Sequence, residues 1–295
     1  MNLQEMRSRI SSRLQAAGIE AYEYEAWVFL EWKLGISRAD YYMDPGRELS
    51  PALWEAIEPV LALREDHMPL QYLMHCCEFM GYDFYVDEHV LIPRQDTECL
   101  VEAAYDFLKD RVALTKLLKK PSLRVLDLCT GSGCIGISLK KMLPELTVVL
   151  TDLSEGAIEV ARRNARSLET DVTILQGDLF HALDALSEEE RKFDLILSNP
   201  PYIPTRVVDG LMPEVRDHEP HMALDGMEDG LAFYRKITEK SPHFLKKDGA
   251  LFYEIGAEQG SVVSDLLRQA GFSDVFLRKD LAGLDRIVSG ILSFR

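Results

Sequence analysis

Arg124-Val125-Leu126-Asp127-Leu128-Cys129-Thr130-Gly131-Ser132-Gly133 is the stretch from which the fold of this chain can be read. Its first five residues form a short apolar run with one acid, as expected of a strand buried in a parallel sheet. A Gly-rich turn follows, and residues 135–142 then take up helical spacing. Strand, turn and helix make a place where a ligand can lie against backbone. Gly131 and Gly133 remove the side chains that would block it, and the helix N-terminus favours negative charge. Working outward, residues 147–151 read as a second strand ending in Asp152, and residues 172–175 as a third leading to Gly177-Asp178. Residues 193–197 give a fourth strand, and residues 251–255 a fifth after a Lys-Asp-Gly turn. Residues 275–277 and 287–289 form a final pair joined by a short loop. Strands alternating with helices predict a parallel α/β sheet, with no internal repeat.

An acid ending the second strand, here Asp152, can accept both hydroxyls of a ribose, and Asp178 is placed to accept from an exocyclic amine such as that of adenine. Singly, such acids are ordinary caps and turn formers. Three successive strands carrying Asp127, Asp152 and Asp178 argue for a ligand site instead. The ligand is not an obvious dinucleotide. Cys129 replaces the first Gly of that fingerprint, and the literal match from Gly131 to Gly136 runs into a helix. No Gly-Lys-Ser/Thr loop is present, which disfavours nucleotide hydrolysis. Asp-x-x-x-Gly-x-Gly at a strand end suits S-adenosylmethionine, whose sulfonium charge fits an acid-lined pocket.

The fourth strand runs into Ser198-Asn199-Pro200-Pro201-Tyr202. Two prolines stop a strand, since neither can donate to a ladder. Asn199 is thereby held at a strand's carboxyl end, where open α/β sheets place ligands. Its side-chain carbonyl and the Pro200 carbonyl can together accept both hydrogens of an NH₂ group, while Tyr202 covers the flat face of whatever carries it. The plainer reading is a Pro-rich turn with Asn as turn former.

The chain has 295 residues, 47% of them hydrophobic, enough for two domains with a sizeable core. No apolar run reaches the ~20 residues that span a bilayer, and the N-terminus resembles neither a signal nor a transit peptide. The net charge of −16 argues against a nucleic-acid partner. The densest basic stretch, residues 116–124, reads as a solvated helix end. Five cysteines lack Cys-x-x-Cys spacing, so no metal site is expected and the thiols should stay reduced. A cytoplasmic, membrane-free monomer is the expectation.

Residues 1–76 read as a small helical domain. Leu3, Met6, Ile10 and Leu14 recur at helical spacing before Gly18; a second helix starts at Tyr22, and a third at Pro51 with Ser50 as cap and a kink at Pro59. His67 and His75 lack a catalytic partner and read as structural. Residues 77–98 read as a β-hairpin linker, with Asp87-Glu88 between its two apolar runs. A helix then starts at about Cys99, capped by Thr97 or Asp96. Arg94 fixes the linker by pairing with Asp96 or Glu98, with direct substrate contact as its alternative role. Residues 99–295 are the expected nucleotide-binding domain.

Leu91-Ile92-Pro93-Arg94-Gln95-Asp96-Thr97-Glu98, the Asp127–Gly133 stretch, Asp152 and Ser198-Asn199-Pro200-Pro201-Tyr202-Ile203-Pro204 together resemble the release factor glutamine methyltransferase family. Pro69-Leu70-Gln71-Tyr72, Glu219-Pro220, Asp225-Gly226 and Asp229-Gly230-Leu231 extend the resemblance over nearly the whole chain. It implies a seven-stranded, Rossmann-like class I methyltransferase domain behind the helical domain and hairpin linker. The implied activity is methylation, from S-adenosylmethionine, of the amide nitrogen of the glutamine in the Gly-Gly-Gln loop of peptide chain release factors. Asn199, Pro200 and Tyr202 carry the catalysis, and Pro201 and Arg94 join them in holding substrate. Cys129, Thr130, Gly131, Ser132, Gly133, Asp152, Asp178, Leu179 and Asn199 hold the cofactor. Cys129 stands where many members have Gly, Met227 interrupts a frequent Gly-Gly pair, and Leu179 replaces an aromatic against the adenine. Alternative acceptors are a glutamine of a ribosomal protein and, further off, an amino group of DNA or RNA.

Overall fold

In a computed structural model that describes residues 1–293, Arg124–Leu128 lies inside a seven-stranded sheet. Residues 294 and 295, the end of the expected methyltransferase domain, lie outside the described residues. The chain divides into two compact units, one of residues 1–75 with 212–218, the other of residues 76–211 and 219 onward.

The larger unit opens with a two-stranded hairpin, β1 (Cys77–Phe79) and β2 (Tyr82–Phe84). Its turn is at Met80-Gly81, not at Asp87-Glu88, and residues 86–92 form no strand. Both turn residues have positive φ (53° and 75°), as a two-residue hairpin loop requires. Phe79 and Phe84 bury edge to face in the sheet's core. The main sheet is built from β3 (Arg124–Leu128), β4 (Thr147–Asp152), β5 (Thr173–Gln176), β6 (Phe193–Ser198), β7 (Leu245–Glu254), β8 (Phe272–Lys279) and β9 (Asp285–Leu292). The order is β5-β4-β3-β6-β7-β9-β8, with β9 antiparallel to both neighbours and every other pairing parallel.

Alternate residues of the central strands feed two cores. Val125, Leu195, Leu197 and Phe252 pack on one face with Leu100, Ala104 and Leu108 of the helix Gln95–Leu117. Leu126, Leu128, Ile196 and Tyr253 pack on the other with Tyr234 and Ile237 of the helix Ala232–Lys240. Burial on both faces is why these strands read as continuous apolar runs. β7 starts earlier than expected, because Lys246-Lys247-Asp248-Gly249 is a bulge within it; the register steps from Phe193↔Leu245 to Leu195↔Ala250. The helix expected from Cys99 begins at Gln95. Its N-cap is Arg94, whose carbonyl accepts from the Thr97 N–H, and no side chain caps it. Thr97 is buried inside the first turn, so its hydroxyl is not a cap but part of the interior.

In the smaller unit the helices Leu3–Ala16, Tyr22–Leu34, Arg38–Met43, Pro51–Glu65 and Leu70–Met74 enclose a core containing Leu3, Met6, Ile10, Leu14, Phe29 and Ile57. Asn2 and Glu5 form a capping box at the first helix, Gly35 ends the second in the left-handed conformation, and Ser50 caps the helix that runs unbroken through Pro59. Arg64, 2% exposed, donates to Glu25 (2.7 Å) and to Glu214 of the later segment. His218 of that segment contacts the Asp66 carbonyl at 2.9 Å. Residues 212–218 are thus held by the helices rather than by the sheet that precedes them in sequence. Among the described residues no helix is long and apolar enough to cross a membrane, and the five cysteines are free.

Candidate active site

The pocket forms where β3 and β4 end side by side. Gly133 caps the helix Cys134–Met142 in the left-handed conformation (φ 82°), and a Cβ there would come within 2.7 Å of Ile137 Cδ1. Gly131 (φ 54°) has open space around it, so its glycine serves the backbone conformation alone. Asp127 lies beneath the turn. Its Oδ2 accepts from the Thr130 hydroxyl (2.6 Å) and the Gly136 N–H (3.0 Å), which ties strand, loop and helix together. Burial pushes its carboxyl up to about 7, with those two donors opposing. Asp152 locks the loop from the neighbouring strand: Oδ2 accepts from the Gly131 N–H and Oδ1 from the Ser154 N–H, each at 2.9 Å. Burial raises its pKa, against the stabilising effect of those N–H groups. Burial also pushes the Cys129 thiol up, helped by the charge of Asp152.

Cys129, Thr130, Gly131, Ser132, Asp152, Asp178 and Leu179 line one cavity together with Asn199, Pro201 and Arg94. Gly133, Pro200 and Tyr202 do not line it. Two of the wall's hydroxyls, Ser132 Oγ and Thr151 Oγ1, are buried without a hydrogen-bond partner. Buried polar groups of this kind mark a place where a polar ligand completes the bonding. The wall otherwise combines acids at strand ends with the apolar Leu153, Leu179, Val90 and Phe233. That donor set fits the ribose, base and sulfonium of S-adenosylmethionine better than a phosphate group.

At the end of β6, the Ser198 hydroxyl donates to the Leu128 carbonyl (2.8 Å), which joins the Asn199 turn to the end of β3. Asn199 faces the cavity, and its Nδ2 donates to Thr97 Oγ1 at 3.4 Å. Beneath it, burial pushes the Glu254 carboxyl at the end of β7 up to about 7, with Thr97, Arg286 and Asn199 acting against the shift. Tyr202 is half-buried in the core, its carbonyl held by Gln259 Nε2 (3.0 Å) and its phenol pushed by burial up to about 12. A Cβ on Gly230 would lie 2.3 Å from that carbonyl oxygen, and one on Gly226 2.7 Å from Tyr202 Cα. The Asp225–Gly230 stretch is therefore a brace behind the turn.

Arg94 pairs with neither expected acid. It pairs with Glu219, which is buried and also accepts from the Ile92 N–H (3.4 Å). Asp96 instead meets Arg286 (3.1 Å), and Glu98 accepts from the Met80 N–H (2.6 Å). The reason is distance in sequence: a buried acid 125 residues away offers Arg94 a partner that local spacing cannot reveal. Sequence reading also missed the strap from His89 to Pro93, Thr97, Met222 and Phe233 among the lining residues. The strap and Thr97 carried a signal, since the motif Leu91–Glu98 runs through both; Met222 and Phe233 carried none.

The chain matches two family models, the Methyltransferase small domain over residues 109–212 and the PrmC N-terminal domain over residues 5–74. It is 41% identical over 278 residues to the release factor glutamine methyltransferase of Geobacter sulfurreducens, covering 94% of this chain and 92% of that one. To the protein of the same name from Clostridium acetobutylicum it is 37% identical over 293 residues, 99% of each chain. Among solved structures, the METTL16 methyltransferase domain lacking its N-terminus superposes with a TM-score of 0.52 at 19% identity, over 81% of this chain and 97% of that one, a likeness of fold. With identity at this level running nearly end to end, the chain belongs to the release factor glutamine methyltransferase family.

Proposed function

We infer that this chain methylates the side-chain amide nitrogen of the glutamine in the Gly-Gly-Gln motif of peptide chain release factors, with S-adenosylmethionine as donor. The observation that carries the reading is the position of Asn199, at the end of β6 and in the wall that also contains Gly131 and Asp152.

S-adenosylmethionine supplies an electrophilic sulfonium methyl. Asp152, Asp178 and the Gly131–Gly133 backbone would hold it, with Leu153 and Leu179 against its flat base. An amide nitrogen is a poor nucleophile because its lone pair is delocalised into the carbonyl, so the chain's task is placement. Asn199 Oδ1 and the Pro200 carbonyl each accept one N–H, which turns the nitrogen lone pair toward the methyl. The same acceptors stabilise the positive charge that develops on nitrogen. The proton leaves afterwards, since the alkylated nitrogen is far more acidic, and no strong base is needed. Tyr202 and Pro201 shape the slot for the glutamine side chain. Arg94, held by Glu219, borders it.

The test offers labelled S-adenosylmethionine with release factor, ribosomal protein and RNA in parallel, and maps the methylated atom by mass spectrometry. Label on the Gly-Gly-Gln glutamine is expected. Label on a ribosomal-protein glutamine or on RNA alone overturns the choice of substrate.

A further inference from the structure

An asparagine side chain has an ambiguity that matters at this site. Rotating its amide by 180° keeps the shape but exchanges the acceptor for a donor. A flipped Asn199 would present NH₂ to the substrate's NH₂ and hold nothing. The neighbouring group, the Thr97 hydroxyl, cannot choose between the two states by itself, because a hydroxyl both donates and accepts.

Three elements converge to remove the ambiguity. Parallel pairing of Ser198 with Tyr253 brings the ends of β6 and β7 level, so Asn199 and Glu254 follow as the next residues along the two strands. The first turn of the helix Gln95–Leu117 inserts Thr97 beside them. Thr97 is 3% and Glu254 2% exposed. Asn199 Nδ2 donates to Thr97 Oγ1 (3.4 Å), and the Glu254 carboxyl lies close enough to both side chains for each to oppose the upward shift that burial gives it. Its Oε2 has no hydrogen-bond partner. Once it has lost its proton, which burial delays to about 7, the Glu254 carboxylate only accepts. It therefore draws the Thr97 proton toward itself, and Thr97 is left with only acceptor capacity for Asn199.

We propose that Glu254 is a positioning residue for methyl transfer: acting through the Thr97 hydroxyl, it fixes the rotation of the Asn199 amide so that Oδ1 faces the acceptor nitrogen. The proposal rests on the reading of Asn199 as the group that holds that nitrogen. It accounts for an acid in a place where burying a carboxylate is costly and an apolar residue would pack without penalty. Arg286, already engaged with Asp96 and Asp280, moderates that cost without satisfying Glu254.

A double-mutant cycle on the full chain tests it. Thr97→Val and Glu254→Ala should each lower kcat about tenfold or more, the scale of one displaced hydrogen-bonding group. The S-adenosylmethionine Kd should stay within about threefold, since neither residue is assigned to cofactor. The double variant should be no slower than the worse single, and Glu254→Gln, which keeps a carbonyl, should recover part of the loss. Where Glu254→Ala does not fold, Glu254→Gln takes its place in the cycle. Losses that multiply, or a Kd that rises as kcat falls, overturn the proposal. A second readout needs no turnover. In full-length protein carrying ¹⁵N-asparagine, Thr97→Val and Glu254→Gln should both shift the Asn199 side-chain amide signals, and unmoved signals reject the linkage. Because the cycle can be run on whichever acceptor takes the label, a wrong choice of substrate shows in the substrate panel while the positioning role is still decided.

Discussion

On the proposed function Asn199 and Asp152 divide the work at the pocket, and substituting each should separate the two jobs. Asn199→Ala removes an acceptor used in the transition state, so kcat should fall about 10²–10³-fold while cofactor affinity, read by calorimetry, changes little. Equal losses in both would reverse the assignment. Asp152→Ala frees the Gly131 and Ser154 N–H groups and removes an acceptor for the ribose. Cofactor Kd should rise about 10–100-fold, as for loss of a charged hydrogen-bonding partner. Glu254 gives a pH signature. In the unfolded chain it ionises near 4.5, whereas burial holds it at about 7 in the fold. Between those values the folded state binds the extra proton, so stability falls as pH rises through the interval. The penalty is absent below it and complete above it. Glu254→Gln lacks that penalty. Its stability relative to the parent should therefore climb between about pH 4.5 and 7, by at most about 3 kcal/mol, in thermal melts across pH. A gap that does not change with pH would contradict this.

At the scale of elements, the brace behind the Asn199–Tyr202 turn is as demanding as the turn. Gly230 has φ 75°, and its Cβ position is occupied by the Tyr202 carbonyl oxygen. Gly230→Ala should push Asn199 and Pro200 out of line and lower kcat about tenfold or more, with stability reduced by about 1–3 kcal/mol; kinetics and urea denaturation read the two effects. The paired glycines of this stretch were visible in the sequence, but their task was not, since it depends on a backbone some 25 residues earlier. The strands tell the same story. β3, β4 and β6 were legible because burial on both faces leaves uninterrupted apolar runs, and their order in the chain fixes which ends meet. The hairpin turn was misplaced because Met80-Gly81 carries only half of the usual left-handed pair, while Asp87-Glu88 looks like punctuation. The first turn of the helix Gln95–Leu117 was missed because Thr97 resembles a cap and is used inside. The acids of the cavity wall, Asp152 and Asp178, were readable from strand ends, whereas Glu254 and Glu219 sit in runs that look like core and linker.

At the scale of the whole molecule, buried charge stands both around the pocket and at Arg64. On the proposed function the first serves chemistry; the second holds a segment. Arg64→Ala would leave Glu25 buried without its partner, a loss of about 3–5 kcal/mol that should appear as an earlier transition of the helical unit in urea denaturation. Replacing Glu25, Arg64 and Glu214 together by apolar residues of similar volume should restore most of that loss. The segment that Arg64 holds also sets a timetable. Residue 212 follows residue 75 by 137 positions (212 − 75). At about 5–20 residues per second, synthesis delivers it roughly 7–27 s later. The helices are thus translated first and completed late. Through that interval Arg64 has Glu25 and the Met68 carbonyl but not Glu214, and the nascent N-terminal unit waits for its last piece.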